Sequence, residues 1–109
     1  MRNDVFQDKT QIEEIIISVL KTIYDPEIPV NIYELGLIYG IEIDEEYNVV
    51  IQMTLTAPNC PVADNILNEV KDKISFISGV KSAIVNLTFD PPWDQSMMSE
   101  EAQLELGYL

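Results

Sequence analysis

The sequence predicts an α+β domain in the order α-β-β-α-β with a short closing helix. Its three strands form a mixed sheet with the two main helices on one face. Three observations predict this. Apolar residues recur at helical spacing over about 10–24 and again beyond Cys60 through about Ile77. Three other runs alternate apolar with polar residues, the period of a half-buried strand. The connection between the first two runs, Asp44–Asn48, is short and polar, which makes them antiparallel neighbours, whereas the third run is reached through a helix.

Residues 1–9 are polar and read as a loose N-terminus, leaving one domain over 10–109. Thr10 and Glu13 have the spacing of a capping box, and Ile12, Ile15, Ile16, Val19, Leu20 and Ile23 follow on one helical face. Burying each such side chain stabilises by roughly 1.5–3 kcal/mol before chain entropy is counted. This helix is expected to stop near Tyr24-Asp25-Pro26, because proline drives the residue before it out of the helical region. In Asp25–Gly36 two prolines stiffen the chain, and Asn31 and Glu34 suit a single helical turn ending near Gly36.

Leu37, Tyr39, Ile41 and Ile43 form one alternating face, and Val49, Ile51, Met53 and Leu55 the next. After the corner Thr56–Pro61 a helix presents Ala63, Ile66, Leu67, Val70, Ile74 and Ile77, with Gly79 suited to a positive φ at its end. The third strand spans about Val80–Phe89, with Ala83, Val85, Leu87 and Phe89 inward, and Asp90-Pro91-Pro92-Trp93 ends it. Ser99-Glu100-Glu101 opens a short helix whose Ala102 and Leu106 would cover part of the sheet, with Met98 as a staple. Trp93 with Met97 and Met98 reads either as core rim or as a partner anchor.

Hydrophobic residues are 47% of the 109, enough for a packed core. Nineteen acids against six bases give a formal charge of −13, a surface that repels nucleic-acid phosphates and anionic membrane. No apolar run approaches membrane-spanning length, and the single cysteine cannot form an internal disulfide, so the expected location is the reducing cytoplasm. The chain has no histidine, which removes imidazole as base, proton shuttle or metal ligand.

Chemistry then concentrates on Cys60, placed between Asn59 and Pro61 where a strand pattern gives way to a helix pattern. Proline favours the first helical turn, so the sulfur is expected near the positive end of a helix dipole. That favours the thiolate, which is both nucleophile and metal ligand, although the surrounding acids oppose it. The alternative is a buried cysteine acting as a small hydrophobe. One sulfur cannot hold an iron–sulfur cluster, which takes about four ligands. A homodimer sharing two Cys60 sulfurs, completion by small thiols or a client protein, and no stable cluster all remain open. Asp25, Glu27, Glu34 and Asp64 are candidate oxygen ligands, and equally suit solvated turns and a helix first turn.

The segments DPEIPVNIYELGLIY, TLTAPNCPVAD, VNLTFDPPW and MSEEAQLELG occur in this order from about Leu20 to Leu109. Together they resemble the small iron–sulfur cluster assembly family, which includes SufT-type and PaaD-like proteins. The resemblance implies a fold like the C-terminal scaffold domain of NifU-like proteins. It also implies an accessory role in cluster assembly or transfer to apo-proteins rather than a turnover enzyme. The family's acidic-proline motif falls on Asp25, Pro26 and Glu27, and its threonine-then-cysteine motif on Thr56, Cys60 and Pro61. Of these, Asp25, Glu27, Thr56 and Cys60 would be the cofactor-binding residues, with Cys60 touching a transient Fe–S cluster that one chain does not hold stably. Implied partners are the assembly machinery and apo client proteins. NifU-like scaffolds carry a second cysteine where this chain has Ala57, and PaaD-like proteins a cysteine-rich extension absent here, so the SUF-associated type fits better. A cofactor-free adaptor with Cys60 as packing is the competing reading. A thiol enzyme with Glu27 as base ranks last, for want of histidine.

Overall fold

A computed structural model describes residues 8–25, 28–56 and 63–107, the side chains of Ala63 and Asp64 excepted. The first helix, α1, spans Lys9–Leu20. Asp8 caps it, accepting from the Gln11 N–H while the Gln11 side chain accepts from the Asp8 N–H. The capping box therefore sits two residues earlier than Thr10 and Glu13, because Asp8 and Gln11 offer the same spacing one half-turn upstream. Asp8 and Lys9 thus belong to the folded domain rather than to a loose terminus.

α1 also stops earlier than Pro26 requires. The Ile23 N–H bonds the Leu20 carbonyl in a tightened last turn, and the Ile23 carbonyl accepts from Ile32 at 2.8 Å. Tyr24 pairs antiparallel with Asn31. Backbone pairing with the chain that follows the prolines therefore ends the helix before the prolines do. The expected single turn is present: Asn31 Oδ1 accepts from the Glu34 N–H at 2.9 Å, and the turn closes at Gly36, whose φ is +82°.

Strands β1 (Ile38–Ile43) and β2 (Asn48–Met53) form the expected hairpin, and β3 (Ser82–Leu87) lies parallel to β2 on its other side. The sheet order β1-β2-β3 is the mixed arrangement that the connections implied. One detail differs. A bulge at Tyr39 sets Ile38 opposite Met53 and Gly40 opposite Gln52, so Ile38 rather than Tyr39 shares the core-side register. The Tyr39 hydroxyl instead donates to the Pro91 carbonyl at 2.8 Å.

The second helix, α2 (Ala63–Ser75), packs on β3 and buries Ile66, Val70 and Ile74. These join Ile12, Ile16 and Leu20 of α1 and Val49, Ile51 and Met53 of β2 in one core. Gly79 does have a positive φ (+98°), in a turn closed from Val80 N–H to Ile77 O rather than in the helix cap itself. Leu87 and Phe89 lie more than a third exposed, unlike the inward positions expected of them, because among the described residues β3 has a sheet neighbour on one side only.

The last helix, α3 (Glu100–Glu105), is capped by Ser99 as its sequence implied, and Met98 and Ala102 are buried. It does not cover the sheet. It flanks a groove of about 180 Å³ against Lys21, Tyr24, Val30 and Glu34, and Ser99 N–H bonds the Glu34 carbonyl. Trp93 takes the core-rim role, its indole N–H donating to the Leu35 carbonyl at 2.7 Å. No helix among the described residues is long and apolar enough to cross a membrane.

Candidate functional site

Of the residues singled out in sequence, Cys60, Pro26, Glu27, Ala57 and Pro61 lie outside the described residues, as does the Asp64 side chain. Asp25 and Thr56 are described, and the fold brings them together. Asp25 follows α1 by way of the Ile23–Ile32 pairing, and Thr56 follows β2 by way of Thr54, whose N–H bonds the Leu37 carbonyl at 2.8 Å. Two chain segments thirty-one positions apart thereby converge, and the Thr56 hydroxyl donates to Asp25 Oδ2 at 3.5 Å.

Asp25 is 7% exposed, although aspartate is seldom buried without partners. Its other oxygen, Oδ1, accepts from the Ile28 N–H at 3.1 Å, the geometry of an Asx turn. Its own N–H bonds the Val30 carbonyl at 3.4 Å, so the proline-stiffened bend is tied back on itself. The carboxylate thus does two jobs: one oxygen shapes the bend and the other reaches the segment that leads, four positions on, to Cys60.

Thr54 stands between the inward positions Met53 and Leu55, where an alternating pattern predicts a polar, outward residue. It is fully buried, and its hydroxyl has no hydrogen-bond partner among the described residues. Such a group costs about 1–3 kcal/mol in lost solvation. A polar residue in an otherwise apolar strand end is the one signal that could have marked it.

Glu34, a candidate oxygen ligand in the sequence, turns to Lys21 instead, 3.5 Å away, with the same ammonium 5.5 Å from the centre of the Tyr33 ring. Among the described residues no three acids gather into a metal-binding group. The carboxylates held below their ordinary value are remote from Asp25 in sequence: Asp44 by the Asn48 backbone N–H and side-chain amide, and Asp94 by the Ser96 hydroxyl and N–H. What the described part of the site offers is a buried carboxylate and a threonine hydroxyl, both polar and neither redox-active.

Comparison with known proteins places this geometry in context. Residues 13–87 match the family model described as iron-sulfur cluster assembly protein. An Fe-S protein maturation auxiliary factor of Porphyromonas gingivalis is 54% identical over 99 residues, covering 91% of this chain and 94% of that protein. The Bacillus subtilis auxiliary factor YitW is 38% identical over 96 residues, covering 88% and 94%. Among solved structures, a DUF59 domain from Bacillus anthracis superposes with a TM-score of 0.83 at 37% identity, covering 90% of this chain and 93% of its own. A conserved hypothetical protein from Thermotoga maritima gives 0.76 at 39%, covering 94% and 96%. With both its core elements and its Asp25 and Thr56 segments inside the matched region, the chain belongs to the iron–sulfur cluster assembly protein family.

Proposed function

We propose that this chain is an accessory factor in iron–sulfur protein maturation, taking up cluster cargo and passing it to apo client proteins. Cys60 is the sulfur that touches the cargo, and Asp25, Glu27 and Thr56 line its approach. The observation that carries the reading is the Thr56–Asp25 contact, which joins the acidic-proline bend to the segment leading to Cys60. The names of the Porphyromonas gingivalis and Bacillus subtilis relatives support the accessory role.

The physical logic follows from ligand number. A cluster needs about four ligands, so a single thiolate supplies one and leaves the rest to the donor, the acceptor or a second subunit. A partial ligand set releases its cargo readily, which suits transfer rather than storage. α2 is described from Ala63, three positions after Cys60 in sequence, and a thiolate close to the positive end of a helix is favoured over a thiol. The charge of −13 favours basic surfaces on the assembly machinery and clients, and a reducing cytoplasm keeps the lone thiol free.

A second reading is favoured by one observation, the Asp25–Ile28 bond: the acidic bend is a shaped docking loop for partner proteins, with no cargo. Asp25→Asn and Cys60→Ser separate the two. Asparagine keeps an acceptor for the Ile28 N–H but removes the charge. The chain is reconstituted anaerobically with iron and sulfide, and client activation is followed alongside visible absorption and native mass. Cargo transfer requires Cys60→Ser to abolish both the absorption and the activation, and Asp25→Asn to slow activation with thermal stability kept. Full activation of clients by Cys60→Ser would leave the docking-loop reading standing alone.

A further inference from the structure

The Asp25–Thr56 contact hangs from one short turn. On one arm, the Ile32 N–H bonds the Ile23 carbonyl and the Asp25 N–H bonds the Val30 carbonyl, so residues 30–32 set the acidic bend. On the other arm, the Thr54 N–H bonds the Leu37 carbonyl at 2.8 Å and places the chain that leads to Thr56. Residues 33–36 lie between these two anchors. Any shift of the turn moves one arm against the other. The Thr56–Asp25 hydrogen bond has little slack to absorb it, being 3.5 Å long already.

The turn does not hold itself. Its carbonyls at Asn31, Ile32 and Tyr33 accept from the N–H groups of Leu35, Leu37 and Gly36. The next two, at Glu34 and Leu35, find no donor inside the turn, because the chain leaves it at Gly36 with a φ of +82°. Both are met from the far end of the sequence. The Ser99 N–H donates to the Glu34 carbonyl at 2.8 Å, and the Trp93 indole N–H to the Leu35 carbonyl at 2.7 Å. Leu35 is fully buried, so its carbonyl without that donor would carry a desolvation cost.

We infer that Trp93 is a positioning residue for the cargo site, its indole N–H fixing the turn from which the Asp25 bend and the Thr56 segment both hang. It acts through the Leu35 carbonyl. The Ser99 bond comes from the backbone and is open to any residue there, whereas this one depends on the side chain. Trp93 is also held stiffly. Pro91 and Pro92 precede it, the Tyr39 hydroxyl holds the Pro91 carbonyl at 2.8 Å, and Asp94 caps the short turn Gln95–Met97 that follows. The ring packs against the core, which aims the N–H.

Two changes remove that donor. Trp93→Phe is one; the other replaces the chain's one tryptophan by 3-benzothienylalanine, which keeps the bicyclic outline and loses only the N–H. In ¹⁵N spectra of the full chain, the Asp25 and Thr56 amide resonances should shift together with those of residues 34–37. Those of the Asp44–Asn48 turn, at the opposite end of the hairpin, should stay. Client activation by the anaerobically reconstituted chain should fall about two- to tenfold where every variant is folded. In a Thr56→Val background, Trp93→Phe should slow it no further. Asp44→Asn, which weakens a remote turn, should not slow it at all. Unmoved Asp25 and Thr56 resonances in both variants overturn the inference, as do shifted resonances with full activation. An equal fall in both backgrounds overturns it too, since Trp93 would then be merely structural. Only the activation measurements rest on the cargo-transfer reading. Clients fully activated by Cys60→Ser sink that reading, whereas clients that need Cys60 but ignore both Trp93 changes sink this one.

Discussion

Thr54 shows how one side chain can work against the fold that holds it. Its hydroxyl is buried with no partner among the described residues, so an isosteric apolar replacement removes a desolvation cost without opening a cavity. Thr54→Val is expected to raise stability by about 1 kcal/mol, read from the urea unfolding midpoint at unchanged slope. A fall in the midpoint would mean that the hydroxyl has a bonding role. Gly36 is the opposite case, a residue the fold cannot do without. Its φ is +82°, and a Cβ there would run into the Met97 carbonyl. Single residues were unevenly legible in sequence. The alternating positions of β2 pointed inward as read, because a strand buried on one face announces itself by period. Asp25 read as an ordinary turn acid, because nothing local records that Thr56 comes to meet it. The partnerless state of the Thr54 hydroxyl was likewise invisible, being set by what surrounds it in space.

Helices, strands and turns were legible where local pattern and tertiary packing agree. The β1–β2 turn is one such place. Asp44 Oδ1 accepts from the Glu46 N–H at 2.8 Å and the Asn48 N–H at 2.9 Å, which lets Tyr47 hold a positive φ of 66°. These bonds favour the ionised carboxylate and hold it below its ordinary value of 3.8. A depressed native pKa contributes stability that is complete above the unfolded value and disappears as the pH falls through the lower folded one. Urea midpoints taken from about pH 6 down to about pH 2 should therefore show the advantage of wild type over Asp44→Asn shrinking only at the acid end. An advantage independent of pH would remove the charge from the account. Patterns failed where a longer-range contact overrode them. α1 ends at Leu20 because Ile23 pairs with Ile32, and Tyr39 faces outward because a bulge inserts one residue into the strand period. α3 leaves the sheet for the bend beyond α1, since a short amphipathic helix records which face is buried and not against what.

For the molecule as a whole, the charge of −13 spread over 109 residues is the dominant long-range force. Like charges destabilise the compact state, and salt shortens their reach from about 30 Å at 0.01 M to about 3 Å at 1 M. Thermal unfolding at low and high sodium chloride should show Tm rising by on the order of 5 °C for each kcal/mol of repulsion relieved. A Tm that falls with salt would mean that pairs such as Lys9–Glu45 and Lys81–Glu46 outweigh the excess of acid. Topology was readable at this scale, because a short polar link and a helical crossover leave few ways to order three strands. The segment from Trp93 to Ser99 has a consequence of its own. Its indole, its Met97 carbonyl and its Ser99 amide all press on Glu34–Gly36, the turn that follows the acidic bend. During synthesis those anchors leave the ribosome some sixty residues after the turn they brace. A nascent chain can therefore assemble its hairpin early, but it presents the finished bend only after the segment from Trp93 to Ser99 has emerged.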